Sequence, residues 1–229
     1  MTLIQAVNIG SIASIMTSDT RRVMKLGNKV LPYFNSTSKI EMISPYLLVG
    51  GGGADYITDE IKTILIDAKP MYLDDITETF IQATIDVRQK NAIEIENGDC
   101  AQFIIAGFNK DGTSGYFNFD TSLPMVEDTD FKYLDYMESA ETSFIPNIKV
   151  YEKAMEKIKR PNINEISELV PQILTYLAKI QYFQYKENPH EISEMFFYHT
   201  IFFNPETEQF ENYSGKVDLE KTKGKVKID

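Results

Sequence analysis

Hydrophobic positions along the chain follow two periods, and the changes between them mark the elements. Residues 2–8 and 11–19 read as strands around Asn8-Ile9-Gly10, and Ile12, Ala13, Ile15 and Met16 make the second one buried on both faces. Residues 20–38 read as polar and irregular, with Gly27-Asn28 as a turn signal and a loop from Asn35 to Ser38. A strand pair is expected over 39–43 and 46–49 about Ser44-Pro45. After Gly50-Gly51-Gly52-Gly53 the period lengthens to about 3.6 residues. Ile57, Ile61, Ile64, Leu65 and Ala68 then share one helical face, which Pro70 ends. A second helix is expected over 74–91. Asp74 or Asp75 caps it, and Ile76, Phe80, Ala83, Thr84 and Val87 form its buried stripe.

Strand character returns at Ala101 to Phe108. Asn109-Lys110-Asp111-Gly112 makes a hairpin turn, and the return strand runs from Ser114 to Asp120. Residues 121–146 carry no clear period beyond a short strand at Tyr133 to Tyr136. Helical spacing resumes over 147–159 and again over 164–185, where Pro171 either lies near the first turn of a helix starting at Ser167 or kinks a longer one. Met195 to Phe203 is a continuous apolar and aromatic run that suits a central strand, and Gln209 to Tyr213 pairs back. Residues 1–213 thus form one domain, followed by a charged tail over 214–229 that ends loose or as an edge strand. Helices arrive in consecutive pairs between groups of strands. That order argues against a doubly wound parallel sheet and for an α+β fold of two packed antiparallel sheets, each with a helical layer outside it.

The 229 residues suffice for one sizeable core, and the 43% hydrophobic and 25% charged content is that of a globular protein. A net charge of -11 speaks against binding nucleic acid or an anionic membrane surface, although Arg21, Arg22, Lys25 and Lys29 form a small basic cluster. No apolar run approaches the length of a membrane span, and no secretory leader is visible. The single cysteine, Cys100, allows no internal disulfide and fits a reducing, cytoplasmic setting. With only His190 and His199 beside it, a His/Cys metal site is not expected, nor is any cofactor.

The first fifty-five residues carry the candidate chemistry. Removal of Met1 would expose Thr2 with a free α-amine, whose ordinary pKa of roughly 7.7–8.0 lets it accept the hydroxyl proton as a general base. A lysine nearby would keep that amine neutral by like-charge repulsion, and an acid would fix the lysine. Backbone amides of a glycine turn would face an oxyanion. Thr2, Lys39, Asp19 and Gly50–Gly53 supply these parts in one segment. Each residue also has a plainer reading: Thr2 as the start of a strand, Lys39 as a loop charge, Asp19 as a turn acceptor, and the glycines as a means of close strand–helix packing.

The chain resembles the proteasome β-subunit family and its bacterial relative, the peptidase subunit of the two-component ATP-dependent protease. The resemblance rests on Thr2-Leu3-Ile4-Gln5-Ala6-Val7, Ser18-Asp19-Thr20-Arg21, Ser38-Lys39-Ile40 and Gly50 through Asp55, followed by Ala106 through Gly112. It covers the first 120 residues well and the remainder by element order. It implies a four-layer αββα sandwich of two antiparallel sheets between helix pairs. It also implies a threonine-type peptidase acting on peptide or protein amide bonds, a homo-oligomeric ring, and an ATPase partner. The catalytic threonine falls on Thr2, the acid on Asp19, the lysine on Lys39 and the oxyanion glycine on Gly51. Glu138-Ser139-Ala140 stands where the family has Gly-Ser-Gly, which makes Ser139 the candidate supporting serine. The later acid and serine should lie near 186–193, where Lys186 through Ser193 gives no clean match, and the Asp19–Lys39 loop is longer than usual. These departures leave a second expectation open, a structural or interaction subunit that has kept the sandwich and lost the chemistry.

Overall fold

The computed structural model of the chain describes residues 2–26, 29–35, 38–93, 100–121, 131–134, 139–163 and 165–226. The described strands are β1 (Ile4–Ile9), β2 (Ala13–Ser18), β3 (Arg21–Leu26), β4 (Lys29–Asn35), β5 (Ile40–Ser44), β6 (Leu47–Gly53), β7 (Ala101–Phe108), β8 (Ser114–Asp120), β9 (Phe131–Leu134), β10 (Ser139–Phe144), β11 (Met195–Asn204) and β12 (Gln209–Asp218). The helices are α1 (Asp55–Ala68), α2 (Leu73–Lys90), α3 (Ile148–Lys157), α4 (Leu169–Glu187) and the short α5 (Leu219–Thr222). Two antiparallel five-stranded sheets run in the orders β10-β1-β2-β11-β12 and β5-β6-β7-β8-β9, and β3 and β4 pair as a separate ribbon.

Strand alternation decides what each face touches. In β1 and β2, Val7, Ile9, Ala13 and Ile15 pack with Ile173, Leu174 and Leu177 of α4. The opposite face, with Ile4, Ala6 and Met16, meets Ile40, Leu48, Ile104 and Ala106 of the second sheet. That sheet turns Leu47, Val49, Phe103 and Phe117 toward Ile57, Ile61 and Leu65 of α1 and Ile76, Phe80 and Val87 of α2. Asp75 accepts the Tyr72 N–H (3.3 Å) at the start of α2, so of the two candidate caps Asp75 is the one engaged. A 3-10 turn over Ile166–Glu168 leads into α4, which places Pro171 in the first helical turn without a kink.

Three differences from the sequence reading have physical reasons. The stretch 20–38, expected to be irregular, carries the β3–β4 ribbon; the expected turn at Gly27-Asn28 lies outside the described residues. The two strands carry apolar residues without strict alternation (Val23-Met24, Val30-Leu31), so no period of two marks them. Second, Gly50–Gly53 is not a turn: all four glycines belong to β6 and pair with Phe103 through Ile104 and Ala101 through Gln102 of β7. Their lack of side chains erased the strand signal. Third, β10, within a stretch without period, is recruited by pairing with β1 (Ile4 with Phe144, Ile9 with Ser139). The start of the tail forms the edge strand that was one of its two expected outcomes, β12 continuing through residues 214–218, and β11 lies inside the sheet between β2 and β12.

Phe80 locks α2 onto the second sheet, with edge-to-face contacts to Phe103 (5.4 Å), Phe117 (5.6 Å) and Phe119 (5.2 Å). Phe80→Ala is expected to cost about 3–5 kcal/mol, read as a lower urea midpoint at unchanged slope.

Candidate functional site

The two sheets pack face to face, and the start of β1 lies at one end of that packing. Asp19, one residue past β2, is fully buried. Its N–H donates to the Leu3 carbonyl (3.1 Å), and its Oδ1 accepts the Leu3 N–H (3.0 Å). This couples the acid to the peptide that follows Thr2. The same Oδ1 receives Lys39 Nζ at 2.7 Å, while Oδ2 accepts the Arg21 N–H at 2.8 Å. Lys39, just ahead of β5, is 6% exposed, so its ammonium points into the protein and not into bulk water.

Thr2 lies on the glycine strand. A Cβ at Gly52 would meet Thr2 Cβ and Cγ2 at 2.8 Å and Oγ1 at 2.9 Å, so only glycine admits the threonine at this depth. Gly53 turns out of β6 with φ +109°, and a Cβ there would reach the Cys100 carbonyl oxygen at 2.3 Å. The Gly51 N–H, expected to face an oxyanion, donates instead to the Lys39 carbonyl (3.0 Å). Gly51 thereby holds the lysine's backbone.

Ser139 is not brought here. It begins β10 opposite Ile9, at the other end of β1 from Thr2, and its hydroxyl accepts from Arg160 (3.2 Å). Along an extended strand, the five residue-to-residue steps from Ile4 to Ile9 already span roughly 17 Å. The serine that does approach is Ser193, which is fully buried. It accepts the Thr20 N–H at 2.9 Å, shares a 3.0 Å hydrogen bond with the Thr20 hydroxyl, and reaches the Met195 carbonyl at 3.1 Å. Gln181 of α4 holds the Ser193 carbonyl (3.2 Å), and the Arg21 guanidinium joins the Pro189 carbonyl and Glu194. The segment after α4 thus braces the residues beside Asp19, although its sequence match was unclear.

A second residue that sequence reasoning missed is Lys62 of α1. It is 6% exposed and donates Nζ to the Lys39 carbonyl at 2.7 Å. Burial pushes its amine down to about 8, against the opposing pull of Glu41 and Asp59 and with help from Arg22 and Lys39. Burial also raises the Glu41 carboxyl, while Lys62 pulls it back. A signal was present: Thr58, Ile61, Lys62 and Leu65 share the buried face of α1, which makes Lys62 a lysine inside an apolar stripe. Across the mouth of the site, Arg22 pairs with Asp55 (3.1 Å) and Asp59 (3.4 Å).

Among the described residues, no group of three or more His, Cys, Asp or Glu side chains converges as metal ligands. No described helix is long and apolar enough to cross a membrane. Chemically, the arrangement offers a hydroxyl on a glycine strand beside a buried carboxylate–ammonium pair, with the acid anchored to the backbone on both oxygens.

No family model matches the chain, and no curated protein does. Among solved structures it is similar to the Anbu (Gly-1) mutant from Hyphomicrobium sp. strain MC1, with a TM-score of 0.63 at 10% identity over 96% of this chain and 89% of that one. It is also similar to Anbu (ancestral beta-subunit) from Yersinia bercovieri, with a TM-score of 0.63 at 9% identity over 97% of this chain and 89% of that one. The chain therefore has a proteasome-like α+β fold.

The Lys62 amine gives a pH prediction. Below pH 8 both the folded and the unfolded chain hold its proton, and the folded chain carries the full burial penalty. As pH rises from 8 toward the ordinary 10.5, the folded chain releases the proton first, the unfolded chain binds more protons, and stability climbs. Lys62→Met lacks this term. The stability of the variant minus that of the wild type should fall between pH 7 and pH 10, measured by paired denaturant titrations.

Proposed function

We propose that the chain is a threonine-type N-terminal-nucleophile hydrolase that cleaves peptide or protein amide bonds, with Thr2 as nucleophile once Met1 is removed. The observation that supports this reading is the buried Asp19–Lys39 pair, 2.7 Å from Nζ to Oδ1, whose acid also accepts the Leu3 N–H next to Thr2, while Thr2 itself lies against Gly52. In this reading the Thr2 amine takes the hydroxyl proton and Oγ1 attacks the scissile carbonyl. The C–N bond breaks as the proton passes to the leaving amine, and water then releases the ester. The buried Lys39 charge, fixed by Asp19, keeps the amine neutral and stabilises the developing oxyanion. The oxyanion donor is better assigned to the Gly53 amide than to that of Gly51. Ladder alternation turns both toward the β5 edge, and the Gly51 amide already serves Lys39.

The architecture we assign is a four-layer αββα sandwich, supported by the packing of α3 and α4 on one sheet and of α1 and α2 on the other. Cytoplasmic residence and self-association into a ring belong to the same proposal. The description of one similar structure as a β-subunit supports assembly, and light scattering that returned a stable monomer would remove it. A second reading, a subunit without catalysis, is favoured by the occupied Gly51 amide and by the distance of Ser139 from Thr2.

Intact mass separates the two readings. The nucleophile reading expects a chain lacking Met1 that gains one adduct from a threonine-directed β-lactone, with the adduct lost in Thr2→Ala and slowed at least a hundredfold in Lys39→Ala. A chain that keeps Met1, or one that starts at Thr2 and stays unlabelled, leaves the non-catalytic subunit standing.

A further inference from the structure

Lysine is among the residues least often buried, and Lys62 has no apparent reason to be buried. Its neighbours on α1, Thr58, Ile61 and Leu65, are core residues of ordinary kind. The carbonyl that receives its Nζ, that of Lys39, already has a donor in the Gly51 N–H. An apolar side chain would serve the packing without the cost of desolvating an ammonium. What the lysine adds is a charge-assisted hydrogen bond to the backbone of one residue, and that residue bears the site's other buried ammonium.

The groups facing Lys62 come from four directions: Glu41 from β5, Asp59 from one turn earlier on α1, Arg22 from β3, and Lys39 itself. Asp59 is also held by Arg22 at 3.4 Å. Neither acid forms a contact ion pair with Lys62 in the structure, whereas the Lys39 carbonyl sits at 2.7 Å. Lys39 needs such an anchor. Its side chain is long and freely rotating, and it reaches Asp19 only if its own backbone stays put. The carbonyl is held from two sides, by Gly51 of β6 and by Lys62 of α1, so the lysine's root is fixed to both the sheet and the helix that covers it.

We propose that Lys62 is a positioning residue whose ammonium clamps the Lys39 backbone, so that the Lys39 ammonium is held on Asp19 beside Thr2. The proposal concerns Lys39 placement and deepens the nucleophile reading; only its effect on reactivity rests on that reading. It also predicts that the clamp tightens when Lys62 is protonated and relaxes when it is neutral.

Two measurements on the full-length chain test it, using Lys62→Met, which keeps the length and removes the charge, and Lys62→Arg, which keeps charge and donor. The first is proton exchange of the Lys39 ammonium, followed by NMR on chain labelled with 15N-lysine. Exchange should be about tenfold faster in Lys62→Met, the weight of one hydrogen bond from a charged donor, and close to wild type in Lys62→Arg. In the wild type its rate should also rise more steeply around pH 8 than the ordinary hydroxide-catalysed increase, and that excess should vanish in the methionine variant. The second is the rate of β-lactone labelling of Thr2, expected to fall about tenfold in Lys62→Met with no drop in melting temperature. Unchanged Lys39 exchange in Lys62→Met overturns the proposal, whatever the labelling shows. So does a loss of labelling that merely tracks a lower melting temperature. If the wild type is never labelled, the nucleophile reading fails alone, and the ammonium exchange still decides the role of Lys62.

Discussion

The Asp19–Lys39 pair is the constraint around which the two sheets are joined. Withdrawing both charges from water costs several kcal/mol per ion, and the cost is recovered only with good geometry and complete hydrogen bonding. Here the acid accepts from the Leu3 N–H, the Arg21 N–H and the Lys39 ammonium, so both of its oxygens are engaged. Asp19 directly follows β2 and Lys39 directly precedes β5, so the pair ties a strand end of one sheet to a strand end of the other. Apolar residues in both places could give comparable stability. What the ions add is position: a fixed positive charge at the mouth of the sandwich, next to the first residues of the chain.

Around that pair the glycine strand does two separate jobs. Gly52 leaves the space into which Thr2 settles, and Gly51 spends its amide on the Lys39 backbone. One face of the strand thus receives Thr2 while its edge steadies the lysine. The next layer consists of Lys62 from α1 and Ser193 from the segment after α4, one on each side of the pair. The four elements come from the first and the last third of the chain, so the arrangement depends on the whole fold and not on a local motif.

That division explains what was legible in the sequence. Asp19 and Lys39 could be named because they end and begin apolar runs, and a charge at such a border stands out. The stripes of α1 and α2 were plain because helices repeat their burial every turn. β7 and β8 were plain because Asp111-Gly112 marks their turn. Ser193 lies in the window 186–193 where the resemblance expects a serine, but its role was not legible because its bond to Thr20 spans 173 residues, a distance over which no period or spacing rule operates. Ser139 was chosen from its local setting between Glu138 and Ala140, and pairing register carried it to the far end of β1. The glycine strand was misread as a turn because its residues have no side chains with which to show alternation. Lys62 was overlooked because a lysine inside a buried stripe is commonly excused as a long side chain reaching for solvent.

The position of β1 has a consequence in time. It lies between β2 and β10 inside its sheet, and β2 is covered in turn by β11. β1 therefore lacks one of its two neighbours until residue 144 has been made, and β2 lacks its outer neighbour until residue 202. Pairings so distant in sequence form late, because the loop they close must be ordered first. The sheet that carries Thr2 is therefore closed only after the distant strands β10 and β11 have been made, and a chain truncated before β11 leaves β2 with an open edge.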